Sequence, residues 1–207
     1  MLVPMVEIGR GAEATVEMAD YLGKRAVVKS RVKKGYRHPD LDAHLRMLRT
    51  RTEVRVMADA RGAGVRTPVI YDVDLDEGTM TMEFIDGASV KSVLDDEPER
   101  TQEICTKIGE MVAKLHNAKI SHGDLTTSNM ILKDGEICLI DFSMGDTRVD
   151  IEQMGVDLRL LERAFTSAHS TIDGAFDIII DSYKRNMPKS AQVLAKVEEI
   201  KGRARYT

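Results

Sequence analysis

The sequence has 207 residues and only two cysteines, Cys105 and Cys138. The two cysteines are isolated, so they form neither the ligand spacing of a metal site nor the disulfide framework of a small secreted domain. We expect both to pack as small apolar side chains in a reducing cytoplasm. A disulfide-rich scaffold and a cysteine-based metal site are therefore excluded.

Long hydrophobic runs are also lacking. No apolar run approaches the ~20 residues that a membrane-spanning helix needs, and the candidate at residues 176–180 is interrupted by Asp177. The first residues lack the basic region and apolar run of a signal peptide. With 43% apolar and 31% charged residues, the composition predicts a soluble globular protein with a hydrophobic core, located in the cytoplasm.

An excess of positive charge is missing, because the formal net charge is −4. This value argues against a dedicated nucleic-acid-binding protein. The charges are unevenly distributed, however: residues 24–37 hold seven basic and no acidic side chains, and residues 201–206 are basic. Such runs are compatible with a solvated face or with phosphate contacts. The candidate phosphate contacts in the C-terminal run are Lys201, Arg203 and Arg205.

The first 85 residues alternate as strands do, with one helical stretch. Strands are predicted at residues 5–19, around a glycine-containing turn, and at 24–32; a hairpin is predicted at 69–85. Between them, Leu41, Leu45, Leu48 and Met57 recur at helical spacing, and the helix ends near Gly62.

The remaining residues are predicted to be mainly helical. Helices are expected at residues 98–117, 151–165, 173–185 and 188–200, with a hairpin at 130–141 between the first two. The order predicts an α+β protein with two lobes, residues 1–85 and 86–207, joined by a hinge near Glu83 to Gly87. The first lobe is expected to be an antiparallel sheet with one helix.

The chemistry is concentrated in residues 121–146, SHGDLTTSNMILKDGEICLIDFSMGD. Asp124 has the position of a general base, and Asn129 follows at the spacing with which protein kinases place a metal ligand. Asp141 supplies a hard anionic oxygen suited to Mg²⁺. The hairpin between Asn129 and Asp141 is expected to bring both ligands together.

The first lobe contains candidates for nucleotide binding. Lys29 ends a short strand, as the phosphate-binding lysine of kinases does, and Glu53 on the following helix is its predicted partner. A glycine turn expected to cover the phosphates contains Gly9, Gly11 and Ala12. A hinge expected to bind adenine through its backbone contains Glu83 and Ile85. A solvated lysine, a surface glutamate and an edge strand are the structural alternatives. Asp157 is predicted to brace the catalytic loop.

These residues, together with the stretches YRHPDLD, HGDLTTSN and VDLRLLERA and the end KGRARYT, resemble the small atypical serine/threonine kinase of the KEOPS complex, the PRPK family, in its archaeal single-domain form. The resemblance covers nearly the whole chain. It implies a reduced bilobal kinase fold that binds ATP and Mg²⁺ and acts as a kinase or ATPase. By motif, it carries the catalytic, ATP and metal positions over to Lys29, Glu53, Asp124, Asn129 and Asp141.

The resemblance further implies a role in threonylcarbamoyladenosine modification of tRNA. Lys201, Arg203 and Arg205 are then the candidate contacts to tRNA. The implied partners are the threonylcarbamoyl transferase subunit and a small regulatory subunit that binds the N-lobe. Two alternatives remain: a RIO-like or aminoglycoside-type phosphotransferase that acts on its own, and a nucleotide-binding scaffold. The retained base and metal ligands speak against the scaffold, which needs no base.

Three positions depart from the expected patterns. Gly123 replaces the arginine that binds a phosphorylated activation loop in many kinases, which predicts that loop phosphorylation does not switch activity. Ser143 replaces the glycine of the Asp-Phe-Gly motif; because serine lacks the freedom of glycine at positive φ, we expect restricted movement there. Residues 150–155 lack the lysine of the family's Glu-Asp-Lys stretch.

Overall fold

The computed structural model describes residues 3–11 and 13–203, with side chains from residue 7 onward. The chain divides into two compact units. The first comprises Met1–Arg55 and Pro68–Asp86, and the second comprises Val56–Thr67 and Gly87–Thr207.

The first unit is an antiparallel sheet of five strands in the order β1-β2-β3-β5-β4. The strands are β1 (Val3–Arg10), β2 (Ala14–Tyr21), β3 (Lys24–Arg31), β4 (Ile70–Asp74) and β5 (Thr79–Glu83). Helix α1 (Pro39–Gly62) follows β3, and its residues up to Arg55 belong to this unit. The predicted sheet, helix and hairpin are therefore present.

The buried face of α1 differs from the predicted one. Leu41 and Leu48 were expected to share an apolar face, but they are 52% and 39% exposed. The buried row in the first unit is polar and consists of Asp42, Arg46, Thr50 and Glu53. Its charges have partners: Arg46 Nε donates to Asp42 Oδ2 at 3.1 Å, and Arg46 Nη1 donates to the Glu77 carbonyl at 2.6 Å. Because paired charges can be buried, helical spacing of leucines alone identified the wrong face.

The second unit is mainly helical. Its helices are α2 (Val90–Asp96), α3 (Thr101–Asn117), α4 (Ile151–Ala168), α5 (Ala175–Asn186) and α6 (Ser190–Arg203). Its short strands are β6 (Ala88–Ser89), β7 (Ile120–Ser121), β8 (Met130–Lys133), β9 (Glu136–Leu139) and β10 (Asp146–Thr147), which form the sheets β6-β8-β9 and β10-β7. Among the helices in the described residues, none has the length and apolar character that a membrane span requires.

Helix α2 was not predicted, although its start has a clear signal. The Ser89 hydroxyl caps the helix by accepting from the Ser92 amide at 3.0 Å. Three apolar side chains then anchor this short helix in the core: Val90, Val93 and Leu94.

Residues 56–67 pack with the second unit, unlike the predicted division at residue 85. Val56, Met57 and Ala60 on the last turns of α1 are fully or almost fully buried. Beyond the helix, the Leu139 amide donates to the Arg66 carbonyl at 2.9 Å. These contacts join the segment to the β8-β9 hairpin, which a division into continuous lobes does not anticipate.

Candidate active site

The catalytic loop, residues 122–129 of the second unit, holds the Asp124 side chain in a defined orientation. Asp124 is exposed, whereas Leu125 after it is fully buried. The Asn129 side-chain amide donates to the Asp124 carbonyl at 3.0 Å and to Asp124 Oδ2 at 2.9 Å. The loop ends in a 3-10 turn at Thr127–Asn129, which the Thr126 hydroxyl caps by accepting from the Asn129 amide at 3.3 Å. Asp124 thus presents an anchored carboxylate to solvent.

The β8-β9 hairpin ties together the backbone next to the two predicted metal-ligand positions, Asn129 and Asp141. Met130 and Leu139 are opposite each other in the ladder, and the Ile140 amide donates to the Asn129 carbonyl at 2.9 Å. The position of Asn129 is therefore tied to the residue that precedes Asp141. Since the Asn129 side-chain nitrogen donates to Asp124, its side-chain oxygen is the atom that could bind a cation.

His122 fixes the backbone around these groups, a role that was not predicted. The Asp124 amide donates to His122 Nδ1 at 3.2 Å, so the ring donates through Nε2 to the Ile140 carbonyl at 3.0 Å. Burial lowers the pKa of His122, which favours the neutral ring. The ring therefore links the base segment to the residue before Asp141. The His-Gly-Asp sequence was the available signal for this role.

Asp157 braces the catalytic loop from α4, as predicted. Its carboxylate accepts from the His122 amide at 2.8 Å and from the Gly123 amide at 2.8 Å. His116 Nε2 lies 3.4 Å from Asp157 Oδ2. Because Asp157 is buried, these contacts supply the partners that its charge requires.

Glycine is required at position 123 by its own positive φ and by the close backbone of Met144. Its φ is +79°, and a Cβ at this position would lie 2.2 Å from the Met144 carbonyl oxygen. No residue with a side chain fits without displacement of that backbone. The absence of arginine here therefore has a steric cause.

Ser143 adopts a backbone conformation that does not require glycine. The Gly145 amide donates to the Phe142 carbonyl at 2.9 Å, which places Ser143 in an ordinary turn. The residue with positive φ is Asp141, at +61°, and Ser143 is not among such residues in the described chain. Aspartate tolerates this region better than most residues.

In the first unit, Lys29 and Glu53 form the predicted pair. Lys29 Nζ lies 2.6 Å from Glu53 Oε1, and both side chains are buried. Arg31, which was not predicted to participate, lies 2.7 Å from Glu53 Oε2. One carboxylate therefore pairs with two buried cations of β3, Lys29 and Arg31.

The predicted phosphate turn and adenine hinge lie in the same unit. The Gly11 amide donates to the Ala14 carbonyl at 2.9 Å, which closes the turn between β1 and β2, and Gly9 lies at the end of β1. Ala12 lies outside the described residues. At the hinge, Ile85 is buried and the Glu83 amide is already used, because it donates to the Val69 carbonyl at 2.8 Å.

Two of the candidate tRNA contacts lie within α6. Lys201 lies 2.9 Å from Glu162 Oε1, and Arg203 lies 2.9 Å from Glu152 Oε1. They are thus part of an ordered helix, which extends further than predicted. Arg205 lies outside the described residues.

Asp124 also lines a groove of about 820 Å³ along α4. Its lining includes Leu125, Thr126, Arg159, Arg163 and Ser167. The base is therefore accessible to an acceptor from within the second unit.

The donor set fits Mg²⁺ held jointly with phosphate. No cluster of three or more His, Cys, Asp or Glu side chains that could hold a metal occurs in residues 3–11 and 13–203. Asn129 and Asp141 offer only two hard oxygen ligands, an amide oxygen and a carboxylate. Mg²⁺ in nucleotide sites commonly binds one or two such protein groups together with phosphates and water.

The fold and the catalytic loop define a kinase-like protein, and comparisons with known proteins specify the family. The model of the RIO domain family matches residues 18–171. The KEOPS complex subunit Bud32 of Pyrococcus abyssi is 38% identical over 209 residues, which cover 96% of this chain and 95% of that protein. The chain belongs to the RIO domain family and, more narrowly, to the Bud32 family. The predicted family and the atypical kinase class are confirmed.

Other relatives are longer. The probable bifunctional tRNA threonylcarbamoyladenosine biosynthesis protein of Methanothermobacter thermautotrophicus is 40% identical over 201 residues, which cover 97% of this chain. The corresponding protein of Methanospirillum hungatei is 43% identical over 197 residues, 95% of this chain. The chain spans about 36% of the length of each of these relatives.

Solved structures confirm the predicted kinase-like fold. The Rio2 kinase in its ADP/Mg²⁺-phosphoaspartate complex, from Chaetomium thermophilum, has a TM-score of 0.66 at 16% identity and covers 96% of this chain and 70% of that chain. WaaP in complex with acyl carrier protein has a TM-score of 0.66 at 15% identity, with coverages of 95% and 87%.

Proposed function

We propose that the protein is an ATP-dependent atypical kinase or ATPase that acts as a subunit of the KEOPS complex in threonylcarbamoyladenosine modification of tRNA. The observation that carries this proposal is the catalytic loop, in which Asn129 anchors an exposed Asp124 and Asp157 braces the backbone. A nucleotide-binding scaffold does not need an anchored base. The names of the Pyrococcus and Methanothermobacter relatives support the biological context.

Each residue has a role in phosphoryl transfer. Asp124 accepts the proton of the attacking hydroxyl or water, or orients it. Lys29 binds the phosphates of ATP, and Glu53 holds the lysine in position. Arg31 anchors the second oxygen of Glu53, so the glutamate is fixed on both sides.

Asn129 and Asp141 would hold Mg²⁺ on the phosphates. The bound ion neutralises the negative charge of the phosphates. Asn129 has a second role, because its amide nitrogen holds Asp124 at the same time. Loss of Asn129 would thus disturb both the base and the metal site.

The nucleotide contacts of the first unit complete the proposal. Gly9, Gly11 and Ala12 cover the phosphates, and adenine binds backbone groups between Glu83 and Ile85 other than the Glu83 amide. A Cβ added at Gly9 or Gly11 would make ordinary contacts at 3.8 and 3.6 Å. The packing of the described residues therefore accepts alanine there, which supports close ligand approach as the reason for glycine.

The partners follow from the family and from exposed groups. We propose a threonylcarbamoyl transferase subunit and a small regulatory subunit as partners in the cytoplasm, with tRNA bound in the assembly. The exposed Leu41 and Leu48 on α1 support docking of the small subunit on the first unit. For tRNA, Arg205 is the remaining tail candidate. Lys201 and Arg203 would have to exchange carboxylate partners for phosphates, which costs little at a surface.

An ATP-turnover assay with and without the transferase subunit and tRNA tests this function. We expect Mg²⁺-dependent turnover that at least one of these additions stimulates, and we expect Asp141→Ala to abolish it. Turnover indifferent to both additions would contradict the role in the complex. Full activity of Asp141→Ala would contradict the metal assignment.

A further inference from the structure

Three hydrogen-bonded side chains, Asp95, His169 and Thr127, connect two residues outside the quoted motifs to the catalytic loop. Asp95 on α2 lies with Oδ1 3.2 Å from His169 Nδ1, and His169 Nε2 lies 2.9 Å from the Thr127 hydroxyl. Lys91 lies 2.8 Å from the other Asp95 oxygen. Thr127 stands between the base Asp124 and the ligand Asn129.

The direction of each hydrogen bond follows from the chemistry of the groups. The Asp95 carboxylate only accepts, so His169 Nδ1 carries the proton and Nε2 accepts from the Thr127 hydroxyl. Burial lowers the pKa of His169, which favours this neutral form. The His169 ring is also packed against Phe165, with ring centroids 4.9 Å apart.

The order Asp-His-Thr has the pattern of a nucleophilic triad, but the burial excludes that use. Thr127 is 3% exposed, and its hydroxyl is directed to the histidine from inside the fold. A nucleophile must reach its substrate. The arrangement instead connects Asp95 on α2, through His169 at the end of α4, to Thr127 in the second half of the catalytic loop.

We propose that His169 is a positioning residue, which fixes the catalytic loop through Thr127 and is itself oriented by Asp95. The proposal rests on the proposed phosphotransferase function. Asp157 holds the start of the loop at the His122 and Gly123 amides, and Thr127 holds its second half before Asn129. A loop fixed at both ends keeps Asp124 and Asn129 in their mutual geometry, on which proximity effects depend.

Two replacements of His169 separate its contacts. In His169→Asn the amide takes the place of Nδ1 and can bond only Asp95, whereas in His169→Gln it takes the place of Nε2 and can bond Thr127. We expect His169→Asn and Thr127→Val to lower kcat for ATP turnover by about tenfold to a hundredfold, with KM for ATP changed by less than about threefold. His169→Gln and Thr127→Ser should keep kcat within about threefold of the wild type.

Ser182→Ala is the matched control, because the Ser182 hydroxyl donates a buried hydrogen bond at 2.7 Å to the Thr106 carbonyl, between α5 and α3. It should lower the melting temperature and leave kcat unchanged. Equal kcat in His169→Asn and His169→Gln, or a loss of kcat in all variants that follows their melting temperatures, would overturn the proposal.

Hydrogen exchange tests the positioning role without turnover. In the full-length protein, His169→Asn should accelerate exchange of the amides in residues 124–130, and Ser182→Ala should not. If the wild type does not turn over ATP, the proposed function fails while this measurement still decides on the role of His169. Unchanged exchange in His169→Asn would overturn the role in the loop.

Discussion

Gly123 offers a sharp test of how tightly the catalytic loop is confined. We predict that Gly123→Ala destabilises the protein by more than the cost of placing a side chain at positive φ. The positive φ alone costs a residue with a side chain about 1–2 kcal/mol. In addition, the new Cβ would lie 2.2 Å from the Met144 oxygen, far inside any ordinary contact.

The backbone must move to relieve this contact, and the movement affects Asp157. The Gly123 amide donates to this buried carboxylate at 2.8 Å. A weakened hydrogen bond to a charged group costs about 1.5–3 kcal/mol. Together with the φ cost, we expect Gly123→Ala to lower the free energy of unfolding by about 3–5 kcal/mol. For a chain of this length this corresponds to a decrease in Tm of roughly 6–20 °C.

Gly135→Ala is the matched control. Gly135 has φ +77°, in the turn between β8 and β9, but the nearest atom to its added Cβ is 4.0 Å away. We expect only the φ cost of about 1–2 kcal/mol there. Urea unfolding and thermal melts of both variants measure the difference. Equal losses at Gly123 and Gly135 would refute the steric explanation for the missing arginine.

Three further predictions concern the other parts of the molecule. Glu53→Gln leaves the buried Lys29 and Arg31 without their shared counter-charge, so urea unfolding should show a loss of about 3–5 kcal/mol, and a loss below about 1 kcal/mol would refute the shared role. Burial lowers the pKa of His122 below its unfolded value of 6.5, so the unfolded chain binds this proton at a higher pH than the folded chain does. The free energy of unfolding should therefore decline as the pH falls below 6.5, and urea unfolding should show a smaller decline in His122→Asn. Leu48→Glu should weaken binding of the small regulatory subunit at least tenfold by calorimetry while stability changes by less than about 0.5 kcal/mol, and unchanged affinity would exclude this face.

Local sequence signals identified much of the fold and the site. The hairpin after the D-x-x-x-x-N spacing was sufficient to predict that the backbone of Asn129 lies beside the residue before Asp141, because a tight hairpin brings its ends together. The pairing of Lys29 with Glu53 followed from a strand and the next helix. These inferences depend on short segments whose geometry is nearly fixed by their own residues.

Features that depend on distant packing could not be predicted. The buried face of α1 within the first unit is polar, because Arg46 bonds both Asp42 and the Glu77 carbonyl in the β4-β5 turn, and no periodicity of leucines reveals such pairing. Arg31 and His169 join the site through tertiary contacts alone. The Asp-Phe-Gly motif alone does not reveal that the positive φ of this segment lies at Asp141 and not at Ser143.

The central claim is that Asp124 is the catalytic carboxylate of an ATP-dependent phosphotransferase, and turnover by Asp124→Asn measures it most directly. Asparagine keeps the size of the side chain and one oxygen that can accept from the Asn129 amide, but it removes the basicity. We predict that kcat with Mg²⁺ and ATP falls by about 10²–10⁴ while the Kd for ATP changes less than about threefold. Turnover within about threefold of the wild type, at intact ATP binding, would contradict the account.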